Sequence, residues 1–255
     1  MMTPSALLRR GWPAILAVAC ILALWQLVGA TTTGSLLVST PSAMLAYGLE
    51  HAADIVRSTA YTGLEASVGL LAATLFSLGF GLCAAHWPRV AGAIYPWLLG
   101  SQVIPFVCLA PMVILIFGPG VSGKIVLSAL MAFFPIVTSI LTGMREVPRP
   151  ALELMAMFKA NKHMVIRHVF LPYGLPYFFA GLRVAAPFSV IGAIVAEFNG
   201  ATWGIGKDIF IAAKRLEPEL MMFGIFCGAG LSALLYGIAV AAERNLGPWY
   251  QRRNQ

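Results

Sequence analysis

The sequence predicts an all-α integral membrane protein with about six transmembrane helices, and three observations lead there. The chain of 255 residues is 59% hydrophobic and only 11% charged, whereas a soluble domain carries about a quarter charged residues. Its mean hydropathy is +0.83, so polar surface is too scarce to cover a globule of this size. The apolar residues also fall in continuous runs of membrane length. They do not alternate, which selects helices over the strands of a barrel.

The first span is Trp12–Ala30, preceded by Arg9 and Arg10. This has the outline of a signal peptide, but the apolar part is too long and lacks a clear small-residue cleavage site, so an uncleaved span is expected. The segment Thr31–Ala60 follows. Within Ser39-Thr40-Pro41-Ser42, Pro41 suits a first helical position with Thr40 as its cap. An external amphipathic helix over Ala43–Val56 is the reading, lying near the membrane surface. Further spans are expected at Tyr61–Ala85, Ala91–Phe117, Val121–Gly143, Leu171–Ala196 and Leu220–Ala242. A second external piece, Asn199–Glu219, contains Gly204 and Gly206 at a turn. No repeat or disordered linker stands out, so residues 1–255 read as one permeation-sized domain with its core at about 60–245. Pro105, Pro111, Pro135, Pro176 and Pro187 lie inside the runs. Each removes a helical hydrogen bond, and Pro105 with Pro111 in one span predicts an irregular helix of the kind that lines a pathway.

Orientation follows from the basic residues. With the N-terminus inside, the inner segments hold Arg9, Arg10, Arg89, Arg145, Arg149, Lys159, Lys162, Arg167, Arg244, Arg252 and Arg253. The outer ones hold Arg57, Lys124, Lys207, Lys214 and Arg215, and Arg183 lies within a span, which accounts for all 17 Lys and Arg. The positive-inside rule then puts both termini and the Arg145–Arg167 loop in the cytoplasm.

Several chemistries are excluded. Gly118 to Lys124 fits G-x-x-x-x-G-K, but Ile125 stands where a phosphate loop needs Ser or Thr for magnesium, so an external turn is expected. Cys20, Cys83, Cys108 and Cys227 are far apart without metal spacing and read as small buried hydrophobes. His51, His86, His163 and His168 show no metal or triad pattern. The net charge of +7 is not gathered into a nucleic-acid stripe. Glu65, Arg183 and Glu197 fall within or at the edge of spans; intramembrane charges mark a pathway or a pair, unless they snorkel.

The loop at about 144–170 is the most informative segment. Between Pro150 and Pro172, Ala151–Lys159 reads as a short helix carrying Leu152, Met155, Met157 and Phe158. Lys159-Ala160-Asn161-Lys162 breaks it and His163–Phe170 resumes it. Exposed apolar side chains on a cytoplasmic element point to a groove-docking partner.

These residues resemble the permease subunits of bacterial binding-protein-dependent ABC importers. In that family a cytoplasmic loop carries a Glu-Ala-Ala triplet, a Gly after it and a Leu-Pro pair beyond. Glu153 matches the Glu and Leu171-Pro172 the pair. Pro176, Gly181-Leu182-Arg183, Ala196-Glu197 and Gly204-Ile205-Gly206 resemble the downstream pattern, and Thr40-Pro41-Ser42 and Phe134-Pro135 extend the likeness over nearly the whole chain. The likeness is greatest to the nitrate/sulfonate/taurine branch, which includes pyrimidine-precursor importers. Leu154 and Met155 replace the two Ala, and Lys159 replaces the Gly, whose positive φ a Lys reaches only at a cost.

The resemblance implies a type I ABC importer (MetI-like) permease fold with a cytoplasmic coupling helix, in the bacterial inner membrane. It implies a cytoplasmic ABC ATPase that binds ATP and magnesium, an extracytoplasmic binding protein, a second permease copy, and no cofactor or catalytic residue on this chain. Glu153, Leu154, Met155, Met157, Phe158, Lys159, Ala160 and Lys162 would contact the ATPase. Weaker pathway candidates are Gln102, Pro105, Cys108, Thr138 and Arg183. The solute is expected to be a sulfonate, nitrate or taurine-like compound or a pyrimidine precursor. An ion-gradient-driven transporter would need midplane carboxylates and repeated halves, and Glu65 is the sole interior candidate; a non-transporting membrane scaffold is the other alternative.

Overall fold

The computed structural model describes residues 4–31 and 39–246, and among these every regular element is helical. Arg252 and Arg253, expected on the inner side, lie outside the described residues. The long helices are α1 (Pro4–Thr31), α3 (Ala52–His86), α6 (Val121–Arg145), α9 (Leu171–Glu197) and α11 (Pro218–Leu246). Between them lie α2 (Pro41–Glu50), α4 (Pro88–Ser101), a 3-10 turn (Phe106–Leu109) leading into α5 (Ala110–Phe117), α7 (Arg149–Met157), α8 (Lys162–Val165) and α10 (Ile205–Arg215).

Four continuous stretches are long and apolar enough to cross a membrane: Ala52–His86, Val121–Arg145, Lys162–Glu197 and Pro218–Asn245. The expected third span, Ala91–Phe117, is not one helix. It breaks between α4 and the 3-10 turn, and the two halves meet at 86°. Pro105, without an N–H, caps the 3-10 turn in extended conformation. Pro111 instead sits in the first turn of α5, where its missing donor costs nothing. Only one of the two prolines therefore breaks the span. The first span is represented by a shorter apolar helix, Ile15–Thr31.

The helix expected between the first two spans is present but shorter than expected. Thr40 Oγ1 accepts from Ala43 N at 3.2 Å, with Pro41 in the first turn, and α2 ends at Glu50, so Ala52–Val56 belongs to α3. Trp25 of α1 donates to Ser39 O at 3.0 Å and stacks on Phe226 of α11 at 5.9 Å, which ties Ser39, just before α2, to α1.

The core is built by α6 packing on α9 and α3. On α3 the small residues Gly69, Ala73, Ser77 and Gly81 recur every fourth position and form one stripe, which lets the helices approach closely. A Cβ on Gly69 would overlap Ser128, and one on Gly81 would lie 2.7 Å from Ile140. Ala73 packs with Ala132, and Ser77 Oγ donates to Phe133 O at 3.3 Å. Residue numbers rise together on both helices, so α3 and α6 run parallel. Helix α9 runs antiparallel to both: Gly192 meets Ser128, and Gly181 meets Pro135 and Ser139. Helix α11 closes the other side through Leu235 and Ala239 on Ala66, Ala186, Val190 and Ala193.

Three of the four cysteines, Cys20, Cys83 and Cys108, are exposed, and Cys227 is half-buried. The expectation of buried cysteines is corrected. In a membrane chain the outer surface of the bundle is as apolar as its core, so an apolar run does not tell inward from outward.

Candidate functional site

At one end of the bundle α7 stands off the helices, with no buried residue. Pro148 precedes it and Pro150 lies in its first turn, where the ring's fixed φ favours helix initiation. Leu154, Met157 and Phe158 are exposed, Met157 at 81%; Met155 and Ala160 are half-buried, and Glu153, Lys159 and Lys162 are exposed. Of the apolar residues the sequence reading placed on this helix, Met157 and Phe158 are exposed, while Leu152 and Met155 are half-buried.

The helix ends in a Schellman arrangement. Lys159 N donates to Ala156 O at 2.9 Å and Ala160 N to Met155 O at 3.0 Å. Lys159 holds φ +48°, the left-handed conformation that Gly would take at no cost. The sequence placed that strain at this residue, and it is there. Asn161 then caps α8, its Oδ1 accepting from Met164 N at 2.9 Å. Helix α8 runs without a break through a π turn, Ile166–Phe170, into α9. The π turn falls just before Pro172: Leu171 N reaches five residues back to Ile166 O. Glu153 does not cap α7, which has no side-chain cap, and no ion pair to it occurs among the described residues.

The pathway candidates divide. Gln102, Pro105 and Cys108 lie at the break between α4 and α5, and Cys108 N donates to Pro105 O at 2.8 Å. Phe106 stacks on Phe134 of α6 at 4.7 Å, and Thr138 donates to Phe134 O at 2.7 Å, which joins Thr138 to the same neighbourhood. Arg183 is apart from them. Its neighbour Gly181 faces α6, so Arg183 turns toward α11 and pairs with Glu243 at 3.5 Å.

At the opposite end of the bundle is a buried polar cluster. Glu65 Oε1 accepts from Lys124 Nζ at 2.8 Å, with side chains 0% and 6% exposed. Lys124 lies on α6, one turn above Ser128, and is not in an external turn as the sequence reading had it. Its Nζ also lies 3.5 Å from Trp203 O. Glu197, at the end of α9, is buried and does not snorkel. Thr62 Oγ1 donates to its Oε1 and Gly206 N to its Oε2, each at 2.6 Å. Ile205 N donates to Thr62 Oγ1 at 2.9 Å. The first backbone donors of α10 are thereby satisfied by a carboxylate and a hydroxyl, as helix N-termini require. Gly204, at φ +137°, lets the chain turn over Glu197, where any Cβ would overlap the carboxylate. Above the cluster Arg57 lies 3.7 Å from the Trp203 ring centre, and Tyr61 stacks on that ring at 6.3 Å.

Sequence reasoning found Glu65 and Glu197 but missed Lys124 and Thr62. A signal existed. Glu65 and Lys124 are 59 positions apart, and so are Gly69 and Ser128, and Gly81 and Ile140. The constant offset of the small-residue stripe places Lys124 opposite Glu65. Among the described residues no group of His, Cys, Asp and Glu is arranged to hold a metal ion.

Comparison with known proteins gives the family. The family described as binding-protein-dependent transport system inner membrane component matches residues 77–252. A protein of Haemophilus influenzae described as a probable ABC transporter permease protein is 33% identical over 225 residues, 87% of this chain and 91% of its own length. A formylaminopyrimidine transport permease protein of Halalkalibacterium halodurans is 32% identical over 209 residues, covering 78% of this chain and 82% of that one. A taurine transport system permease protein of Escherichia coli is 29% identical over 183 residues, or 72% and 66% of the two chains.

Proposed function

The chain belongs to the family of binding-protein-dependent transport system inner membrane components, and from that premise we propose that two copies form the membrane pathway of an ATP-driven importer. It is an ABC permease subunit; ATP and magnesium are bound and used on a separate cytoplasmic ATPase, and an extracytoplasmic binding protein delivers the solute. Both termini and α7 face the cytoplasm, in keeping with the eleven Lys and Arg on that side against five on the other.

The observation that carries this reading is α7. An element with no buried side chain, displaying Leu154, Met157 and Phe158 to water, is stable only if something covers it. We assign it to a cleft of the ATPase, with Lys159 and Lys162 meeting acidic groups at the rim and Glu153 acting across the interface. Closure of the ATPase dimer then moves α7. Because α8, the π turn and α9 are continuous, the displacement reaches the membrane directly. The broken α4–α5 segment, which exposes Trp97, Val103, Met112 and Leu115, is assigned to the second copy, with Gln102, Pro105, Cys108 and Thr138 facing the pathway between them.

The solute is a small pyrimidine precursor or a sulfonate, nitrate or taurine-like anion. The pyrimidine class is favoured by the higher identity and longer coverage of the formylaminopyrimidine permease compared with the taurine permease. The ligand that co-purifies with the cognate binding protein identifies it. Transport is tested in proteoliposomes holding permease, ATPase and binding protein. Vanadate-sensitive, ATP-dependent uptake is expected. Uptake driven by an ion gradient without ATP would overturn the reading, and Glu65 is ill placed for that role because Lys124 already neutralises it.

A further inference from the structure

At the α7 end, between the last turns of α3 and the start of α9, an apolar slot opens into a basic groove. The slot, about 80 Å³, is lined only by apolar residues and Gly, including Leu78, Ile140, Gly174 and Phe178. The groove, about 800 Å³, carries His86, Trp87, His163 and Arg167. Leu82, Ile166 and Leu171 line both, so slot and groove form one continuous concavity. No carboxylate lines either, and among the described residues none lies within ion-pair distance of Arg167 or His163. Trp87 is 56% exposed beside His86, whose ring it meets edge-on at 4.8 Å. Exposed Trp at the end of a spanning helix marks the headgroup level.

We propose that this concavity binds an anionic phospholipid of the cytoplasmic leaflet. The phosphate diester sits against Arg167, His86 and His163, and a few methylenes of one acyl chain enter the slot over Leu82, Ile166 and Leu171, the rest of the chain lying in the bilayer. The chemistry is matched at both ends. A basic pocket between transmembrane helices on the cytoplasmic side suits an anionic headgroup, while a wholly apolar slot leading from it rejects a soluble phosphate. Ile166 and Arg167 belong to the π turn, whose wider winding is a frequent mark of a functional position. A Cβ on Gly174 would meet nothing within 4 Å, so the slot is open along α9. The cytoplasmic assignment rests on the orientation proposed above. The lipid is thereby placed on the segment that joins α7 to α9.

The test uses the full permease assembled with its ATPase in nanodiscs of mixed phosphatidylcholine and phosphatidylglycerol, with retained lipid read by native mass spectrometry. Phosphatidylglycerol is expected to be enriched on the complex. Arg167→Gln should lower its retention about fivefold, the worth of one basic residue near a membrane surface. Gly174→Leu, which fills the slot and favours helix, should lower it with the basic groove intact. Equal retention of the two lipids overturns the proposal, as does retention unchanged by both variants. Phosphatidylglycerol held by the free permease but absent from the ATPase-bound complex also overturns it, because the groove then belongs to the ATPase. Vanadate-sensitive uptake in phosphatidylcholine alone reports on the transport reading independently.

Discussion

Glu65 Oε1 and Lys124 Nζ lie 2.8 Å apart in the buried interior of the bundle, one rung beyond the contact of Gly69 with Ser128. The same four-residue register that packs α3 on α6 therefore also pairs their charges. Removing one partner leaves the other buried and unneutralised. Lys124→Ala is expected to cost about 3–5 kcal/mol, read as a lower Tm in detergent. Replacing both, Glu65→Leu with Lys124→Met, should recover most of that loss. A double variant as unstable as Lys124→Ala would mean that the charges themselves are required.

Gly204→Ala should be among the most damaging single substitutions outside the helices. The new methyl meets the Glu197 carboxylate, and φ +137° is a region that residues with a Cβ rarely adopt. Strain and overpacking each cost about 1–3 kcal/mol. The hydrogen bond from Gly206 N to Glu197 is expected to be lost with it, so faster amide exchange at the start of α10 checks the prediction.

Lys159→Gly should stabilise the turn after α7 by about 1 kcal/mol, because Gly adopts φ +48° without the penalty a side chain brings. Slower exchange of the Ala160 amide, which donates to Met155 O, is the expected result. Lys159→Val should act in the opposite direction, since a β-branched residue tolerates that conformation least.

Phe158→Ala and Glu153→Arg should leave insertion and Tm nearly unchanged, within about 0.5 kcal/mol, because both side chains are exposed in the free chain. Transport and substrate-stimulated ATPase activity should fall in each. Unchanged uptake in both would remove α7 from the coupling role.

Much of this was legible in the sequence because the governing signals are local. Run length and composition marked the spans, Thr40 and Pro41 marked the start of α2, and the Lys159 break marked the end of α7. What was not legible depends on partners distant in the chain. The break at Pro105 was foreshadowed by a proline, yet Pro111 gave the same signal and sits harmlessly in a first turn. Lys124 looked like a loop charge because hydropathy sees a basic residue beside Gly118–Gly120 and cannot see Glu65 across the bundle. The cysteines looked buried because lipid-facing and core-facing residues share one composition. Glu197 was visible as a charge at a span edge, but its partners Thr62 and Gly206 come from two other elements.

The ladder between α3 and α6 acts as a keyed joint. Sliding one helix along the other by a single turn, about 5.4 Å, would replace the contact of Ala73 with Ala132 by one of Ala73 with Ile136 or Ser128. Lys124 would then have moved away from Glu65, stranding two charges in oil. The two helices can tilt or rotate together, but translation along their shared axis is locked. On the coupling role proposed for α7, its motion is passed on by a rigid pair that swings as one lever.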